Sequence, residues 1–193
     1  MDKKNQILNA AYELFAEKGY SLSMSEIAEI VKIKTPSLYS HFKSKDEIIE
    51  IIIKTEIEHC FDTIHKKAQK LKDKSCEERL KNILFHTIEY CDKGSHLRFW
   101  RNMSLLENKE LRNMSSTFIQ ERDNCLVDNI NSCFEKGIKD KEIKDTVNEG
   151  QVYLYFSMIQ GILNSTLLIQ DNSISTENFA SMAWDAYWDG IKA

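Results

Sequence analysis

Apolar residues recur along this chain at intervals of three and four, the spacing that gathers them on one side of an α-helix; strict alternation is rare. The pattern predicts an all-α protein. The first helix spans about Lys4 to Lys18, with Ile7, Ala10, Ala11, Leu14 and Phe15 on one stripe, and Gly19 ends it as a C′ residue. Ser23 and Glu26 form a capping box for the second, and Leu22 and Ile27 suit a hydrophobic staple. Ile27, Ile30 and Val31 are expected to face inward. The third begins with Thr35 as N-cap and Pro36, the one proline of the chain, at N1. Ser44 and Glu47 repeat the capping box before a long fourth helix to about Leu71. None of the first three is long enough to stand alone, so together they should share a core of Ile7, Ala11, Leu14, Phe15, Ile27, Val31, Leu38 and Phe42.

Further on, Ser75 and Glu78 open a helix to about Cys91. Others cover about Ser95 to Glu107 and Lys109 to Lys136, the latter stopping at Gly137. Thr146 and Glu149 open a helix reaching Gln170, and Thr176 opens the last. The connections at 92–95 and 136–146 read as mobile from composition. The expected organisation is about nine helices in two parts. Residues 1–45 make a three-helix helix-turn-helix domain. Residues 46–193 make a C-terminal helical domain, and the fourth helix links the two.

Composition changes this picture little. The 193 residues carry a formal net charge of -4, so the surface as a whole does not attract nucleic acid. The start MDKKNQ has no apolar core of a signal peptide. Val152 to Ile169 is uncharged but interrupted by Ser157, Gln160, Gly161, Asn164, Ser165 and Thr166, which fits a buried helix rather than a membrane span. Cytoplasmic residence and no membrane contact are expected. The five scattered cysteines, with no CxxC pair, read as buried free thiols in a reducing compartment.

One stretch departs from the acidic background. Ile30 to Lys45 holds Lys32, Lys34, Lys43 and Lys45 and no acid. The second helix, a short turn at Lys32–Lys34 and the third helix have the dimensions of a helix-turn-helix, which lays its second helix in the major groove. Thr35, Ser37, Tyr39, Ser40 and His41 would project from it, offering hydroxyl, phenol and imidazole groups for phosphate and base contacts. The lysines would position the domain on phosphates. The amides opening the fourth helix, near Lys45, could hold one phosphate more. The same residues are also compatible with an ordinary amphipathic helix beside a solvated surface.

The segment ILNAAYELFAEKGYSLSMSEIAEIVKIKTPSLYSHFKSKDEII, Ile7 to Ile49, strongly resembles the DNA-binding domain of the TetR family of bacterial transcriptional regulators. AAYELFAEKGY (Ala10 to Tyr20), Ser25, IAE (Ile27 to Glu29), LYSHF (Leu38 to Phe42) and SKDEI (Ser44 to Ile48) carry the likeness. The resemblance implies recognition-helix roles for Thr35, Pro36, Ser37, Tyr39 and His41 and a phosphate contact for Lys45. The turn departs from the family pattern. Lys32 stands where glycine is usual, and Lys34–Thr35 replace serine–lysine. A left-handed residue at 32 would be mildly strained as lysine.

A single helix-turn-helix touches little DNA, and two copies on a two-fold axis read a palindrome. The helix near 147–170 is apolar nearly all round, with Val152, Tyr155, Phe156, Ile159, Leu163 and Leu167 on one side and Met158, Ile162 and Ile169 elsewhere. With the helix near 177–190, where Trp184 and Trp188 would serve as aromatic anchors, it is the expected homodimer surface. The resemblance implies the same pairing. It also implies a small-molecule effector in the middle helices, relayed to the DNA-binding domain by the fourth helix. Large, partly polar candidates for that pocket are His86, Tyr90, Phe99, Trp100, Met103, Met114, Phe118, Arg122, Tyr153 and Asn164. Each is equally compatible with core packing, or, for Arg122 and Asn164, with solvent. The expected partners are therefore double-stranded DNA at a palindromic operator, a second copy of the chain and an organic effector. No cofactor or metal is expected.

Two other classes compete. An enzyme needs a convergent acid, base or metal set. His59, His65, His86 and His96 form no recognisable motif, even with Cys91. No HExxH, phosphate loop or GxSxG elbow is present. A helical interaction protein without DNA function would not need the acid-free basic stretch.

Overall fold

The computed structural model describes residues 2–168 and 175–193, the side chains at 123–125 and 166–168 excepted. It is all-α. Nine helices run in order among the described residues: α1 Lys3–Lys18, α2 Met24–Ile30, α3 Thr35–Leu38, α4 Lys45–Lys70, α5 Cys76–Asp92, α6 His96–Ser104, α7 Lys109–Lys139, α8 Glu149–Leu168 and α9 Thr176–Ile191. A 3-10 turn, Gly19–Ser21, follows α1. The predicted C-terminal end of the helix reaching Gln170, Ile169 included, and the side chain of Leu167 lie outside the described residues.

Local chemistry explains most helix ends, and corrects some predicted ones. Ser23 and Glu26 form the full capping box of α2. At α4 the Glu47 amide donates to Ser44 Oγ (3.1 Å), but the Glu47 carboxylate reaches back to the Lys43 amide (2.5 Å). The N-cap of α3 is Lys34, one residue earlier than predicted, and Thr35 and Pro36 open the helix. Asn148, not Thr146, starts α8: its side chain accepts from the Gly150 amide at 2.8 Å, and Gln151 accepts from the Asn148 amide at 2.9 Å. Ser175 caps α9, accepting from the Asn178 amide.

Gly137 does not stop α7, which continues to Lys139. Its lack of a side chain serves packing. A Cβ there would stand 2.7 Å from Ile143 Cδ1 and 3.0 Å from both Cβ and Sγ of Cys76. The segment after α7 is tied rather than loose, because Ile143 bridges Lys192 and the Lys144 amide donates to the Ile191 carbonyl at 2.9 Å.

The helices gather into two compact units, residues 1–60 with 93–122 and residues 61–92 with 123–193. In the first unit Ile7, Ala11, Leu14, Phe15, Ile27, Leu38 and Phe42 are buried, as the helical stripe predicts. Ile30 is not; it is 53% exposed, and Val31 is half-buried. α2 is only seven residues long, and Met24, Ile27 and Ala28 occupy its inner face. Helix α6 completes this core. Phe99 is fully buried, stacked on Tyr12 at 4.5 Å and packed on Phe15 at 4.8 Å. Asn102 Nδ2 donates to the carbonyls of Phe15 and Ala16, both at 2.9 Å, so a side chain of α6 caps the end of α1.

In the second unit α8 packs on α5 and α9. Tyr155 Oη donates to the Leu80 carbonyl and Tyr187 Oη to the Gln151 carbonyl, each at 2.7 Å. These partners satisfy the buried hydroxyls. Trp184 and Trp188 stack at 5.6 Å and are both buried in their own chain. They are core residues, not the exposed anchors the sequence suggested, because α9 turns that stripe inward.

Candidate nucleic-acid interface

The short turn between α2 and α3 sets the pose of α3. The Ile33 amide donates to the Ala28 carbonyl (3.0 Å) and the Lys32 amide to the Glu29 carbonyl (3.1 Å). This pair of bonds is a Schellman ending, which requires a left-handed residue at C′. That residue is Lys32, with φ 55. The expected strain at Lys32 is therefore present, and it lets the chain reverse within a few residues.

Beyond the turn, Leu38 and Phe42 are buried and anchor α3 from beneath. Everything between and around them points out. Lys32, Lys34, Pro36, Ser37, Tyr39, Ser40, His41 and Lys43 are exposed and Thr35 is half-buried. Tyr39, at 55% exposure, is a large aromatic with no packing role. Helix α3 itself ends at Leu38. Tyr39 to Phe42 continue as turns, held by His41 and Phe42 amides donating to the Leu38 carbonyl at 2.9 and 3.0 Å. Ser40 Oγ donates to the Ser37 carbonyl (2.7 Å), which leaves its lone pairs outward.

Lys45 differs from the other lysines. It is half-buried, its Nζ donates to the Tyr20 carbonyl at 2.9 Å, and it lies 3.9 Å from the centre of the Tyr20 ring. An ammonium has three donors, so this anchoring fixes its position without exhausting it. One cation went unnoticed in the sequence. Lys4 of α1 places its Nζ 5.3 Å from the Phe42 ring centre, at the end of the recognition segment. No local pattern connects residues 4 and 42; only the fold does.

The same unit holds a polar cluster. Glu56 of α4 is buried. Its Oε1 accepts from Trp100 Nε1 (3.0 Å) and lies 2.8 Å from His96 Nδ1, which in turn is 2.9 Å from Tyr12 Oη. Burial first, then the Glu56 charge and hydrogen bond, push the Tyr12 phenol well above its usual range, so it stays protonated. Nearby, Tyr20 Oη donates to Asp46 (2.8 Å), and Asn108 Nδ2 reaches both at 3.3 Å.

The ten effector candidates fall in two sets. Phe99, Trp100, Met103, Met114, Phe118 and Arg122 belong to the first unit. There Phe99 and Met103 are buried, and Trp100 is committed to Glu56. Arg122 is exposed, pairs with Glu58 at 3.0 Å and lies over the Phe118 ring at 5.3 Å. His86, Tyr90, Tyr153 and Asn164 belong to the second unit. Tyr90 is buried, His86 is half-buried beside Glu89 (3.4 Å), and Asn164 and Tyr153 are exposed, Tyr153 at 70%.

The family model for bacterial regulatory proteins of the tetR family matches residues 7–52. The biofilm operon negative transcriptional regulator IcaR of Staphylococcus aureus is 43% identical over 63 residues, 32% of each chain. The transcriptional activator FasR of Mycolicibacterium smegmatis is 28% identical over 102 residues, 51% of this chain and 46% of that protein. These matches span less than half the length of the curated relatives. Over the whole chain, a TetR transcription regulator of Haloarcula marismortui has the same fold, with a TM-score of 0.75 at 19% identity, covering 100% of this chain and 99% of that one. Residues 7–52 thus make up a TetR-family N-terminal helix-turn-helix domain, at the head of a chain with the all-helical architecture of that family.

Proposed function

We propose that this chain is a sequence-specific DNA-binding transcriptional regulator, a dimeric repressor released from a palindromic operator by a small organic ligand. The observation that carries the reading is the exposed, acid-free surface of Lys32 to Lys43 standing on the buried pair Leu38 and Phe42. Such a surface can meet a phosphate backbone and base edges without disturbing the core that holds it. Thr35 and Ser37 suit base edges. Tyr39, His41, Lys34 and Lys43, with Lys4 and Lys45 at the flanks, suit phosphates.

Dimerisation is supported by the outer faces of α8 and α9, where Tyr153, Leu154, Phe179 and Met182 are exposed within one chain. A second copy would cover them and set two α3 elements about 34 Å apart, one turn of the duplex. A ligand shifts this equilibrium only by preferring one head spacing over another. The aromatic and methionine side chains of the middle helices suit a molecule with apolar bulk. Activation is the second reading, favoured by the name of the relative FasR.

The test is selection from a random duplex library at moderate salt, followed by sequencing of the bound fraction. Enrichment of one palindrome is the expected result. Uniform weak binding that vanishes with added salt, both before and after removal of any co-purified small molecule, would refute sequence-specific regulation. A reporter placed behind the selected palindrome then separates repression from activation.

A further inference from the structure

Cys76 and Cys133 lie 57 positions apart in sequence, yet their sulfurs are 3.1 Å apart. Both are buried free thiols in the second unit. Cys76 opens α5 and Cys133 belongs to α7. The approach is built by the surrounding backbone. Gly137, one helical turn beyond Cys133, leaves room for Cys76, whose Cβ and Sγ would stand 3.0 Å from any Cβ added there. The Cys76 amide donates to Glu142 Oε2 at 2.8 Å, which fixes the start of α5 against the segment that follows α7. Among the described residues no group of three or more His, Cys, Asp or Glu side chains is gathered to hold a metal ion, so metal binding does not account for the pair.

We propose that Cys76 and Cys133 form a redox-responsive thiol pair that closes to an intramolecular disulfide when the protein meets a peroxide. A disulfide has its sulfurs about 2.05 Å apart, so closure needs a movement of about 1 Å. Hydrogen peroxide is small enough to reach a buried sulfur through local breathing of the helices.

Cys133 is the sulfur that reacts first. The hydrogen bond shared with Cys76 holds its thiol below the usual range; burial opposes this, and the Arg79 guanidinium assists it. The Cys76 thiol is held above its usual range by the same hydrogen bond, by burial and by the Cys133 charge. The Cys133 thiolate attacks one peroxide oxygen, forming an S–O bond and breaking the O–O bond, and the hydroxide released takes up the proton that Cys133 lost on ionising, giving the first water. The Cys76 sulfur then attacks the Cys133 sulfur. The S–S bond forms, the S–O bond breaks, and the departing hydroxide takes up the Cys76 proton as water. In sum, two thiols and one peroxide give one disulfide and two waters.

The test treats the purified full chain with a small molar excess of hydrogen peroxide in the absence of reductant. The protein is quenched, alkylated under denaturing conditions and mapped by peptide mass. The expected result is the loss of two of the five thiols, a Cys76–Cys133 linked peptide lighter by two hydrogens, and recovery of both thiols with dithiothreitol. Cys76→Ser, which keeps a hydrogen-bonding group but no resolving sulfur, should leave Cys133 as a sulfenic acid that a dimedone probe captures. If that variant does not fold, the wild-type map decides alone. Linkage through other cysteines, or conversion of Cys133 to sulfinic acid with no linked peptide, overturns the proposal. So does alkylation of both Cys76 and Cys133 after peroxide has consumed other thiols.

Discussion

His96 Nδ1 lies 2.8 Å from the buried carboxylate of Glu56, joining α6 to α4 across 40 positions of sequence. Trp100 and Tyr12 converge on the same two groups, so one acid ties three helices of the DNA-binding unit. Phe99 and Asn102, on the same short helix, bind α1 by stacking and by capping. Helix α6 is therefore structurally part of the unit that carries the recognition surface, although the sequence places it some 50 positions later.

Removing the Glu56 carboxylate should cost more than its volume. Glu56→Ala leaves the Trp100 indole N–H without its Glu56 acceptor, and an unpaired buried donor costs about 1–3 kcal/mol. Glu56→Gln keeps an acceptor oxygen and should lose clearly less. Urea unfolding at constant m distinguishes the two. Equal losses would mean that Glu56 acts through packing alone.

Lys32 holds a backbone position that favours glycine. Its φ of 55 carries the left-handed penalty of about 1–2 kcal/mol for a residue with a Cβ. Glycine removes this, although its freer unfolded chain returns part of the gain. Lys32→Gly should therefore stabilise the protein by about 0.5–1 kcal/mol while weakening DNA binding through the lost charge. Opposite signs in the two assays are the signature. A stabilised protein with unchanged DNA affinity would remove Lys32 from the interface.

The helix-turn-helix was legible because it is local. Capping signals at Ser23 and Ser44, the stripe Ile27–Leu38–Phe42 and the acid-free run are all written within 25 residues of one another. Errors arose where a neighbour distant in sequence decides. Ile30 seemed inward, yet it is the last residue of α2 and stands 53% exposed. Gly137 read as a stop signal because nothing nearby in sequence shows Cys76 pressing against it. Trp184 and Trp188 read as exposed anchors because periodicity gives a helix two faces without saying which one its own chain covers. Lys4 above Phe42, and the Glu56 cluster, depend on separations of 38 to 84 residues. Spacing rules do not reach that far.

Glu26 links the α2 cap to pH. Hydrogen bonds from Lys18 (2.7 Å) and from the Ser23 hydroxyl and amide hold its carboxyl at about 2, against 4.5 ordinarily. A folded value below the unfolded one means that stability from this cap is full above about 4.5 and is lost as pH falls through about 2. Carboxyl titration followed by NMR should find Glu26 still ionised well below the ordinary value of 4.5. Lys18→Ala should move its midpoint upward. An ordinary midpoint in the wild type would contradict the capping geometry.

Tyr39 and Lys43 can be replaced without touching the core. Both are exposed, so Tyr39→Ala with Lys43→Ala should change stability by no more than about 0.5 kcal/mol per site. Affinity for the selected operator should fall by about 1–3 kcal/mol, and the salt dependence should flatten by about one phosphate contact. Fluorescence anisotropy across a salt series reads both. Unchanged affinity at equal stability would remove Tyr39 and Lys43 from the interface.

The outer face of α8 and α9 gives the clearest test of assembly. Leu154 and Met182 are 56% and 62% exposed in the single chain, more than large apolar side chains on these two helices need unless something covers them. A two-fold interface repeats every contact, so one substitution acts twice. Leu154→Glu combined with Met182→Glu should leave the helical content of the chain intact, because neither side chain is buried within it. In the dimer it would bring like charges into an apolar seam, where an unpaired charge is strongly unfavourable. Sedimentation should show the wild type as a dimer and the variant as a monomer. Operator binding should fall with the dimer, since each half-site alone holds a single head. A variant that stays dimeric would place the interface elsewhere on the chain. A monomeric wild type would remove the basis for palindrome recognition.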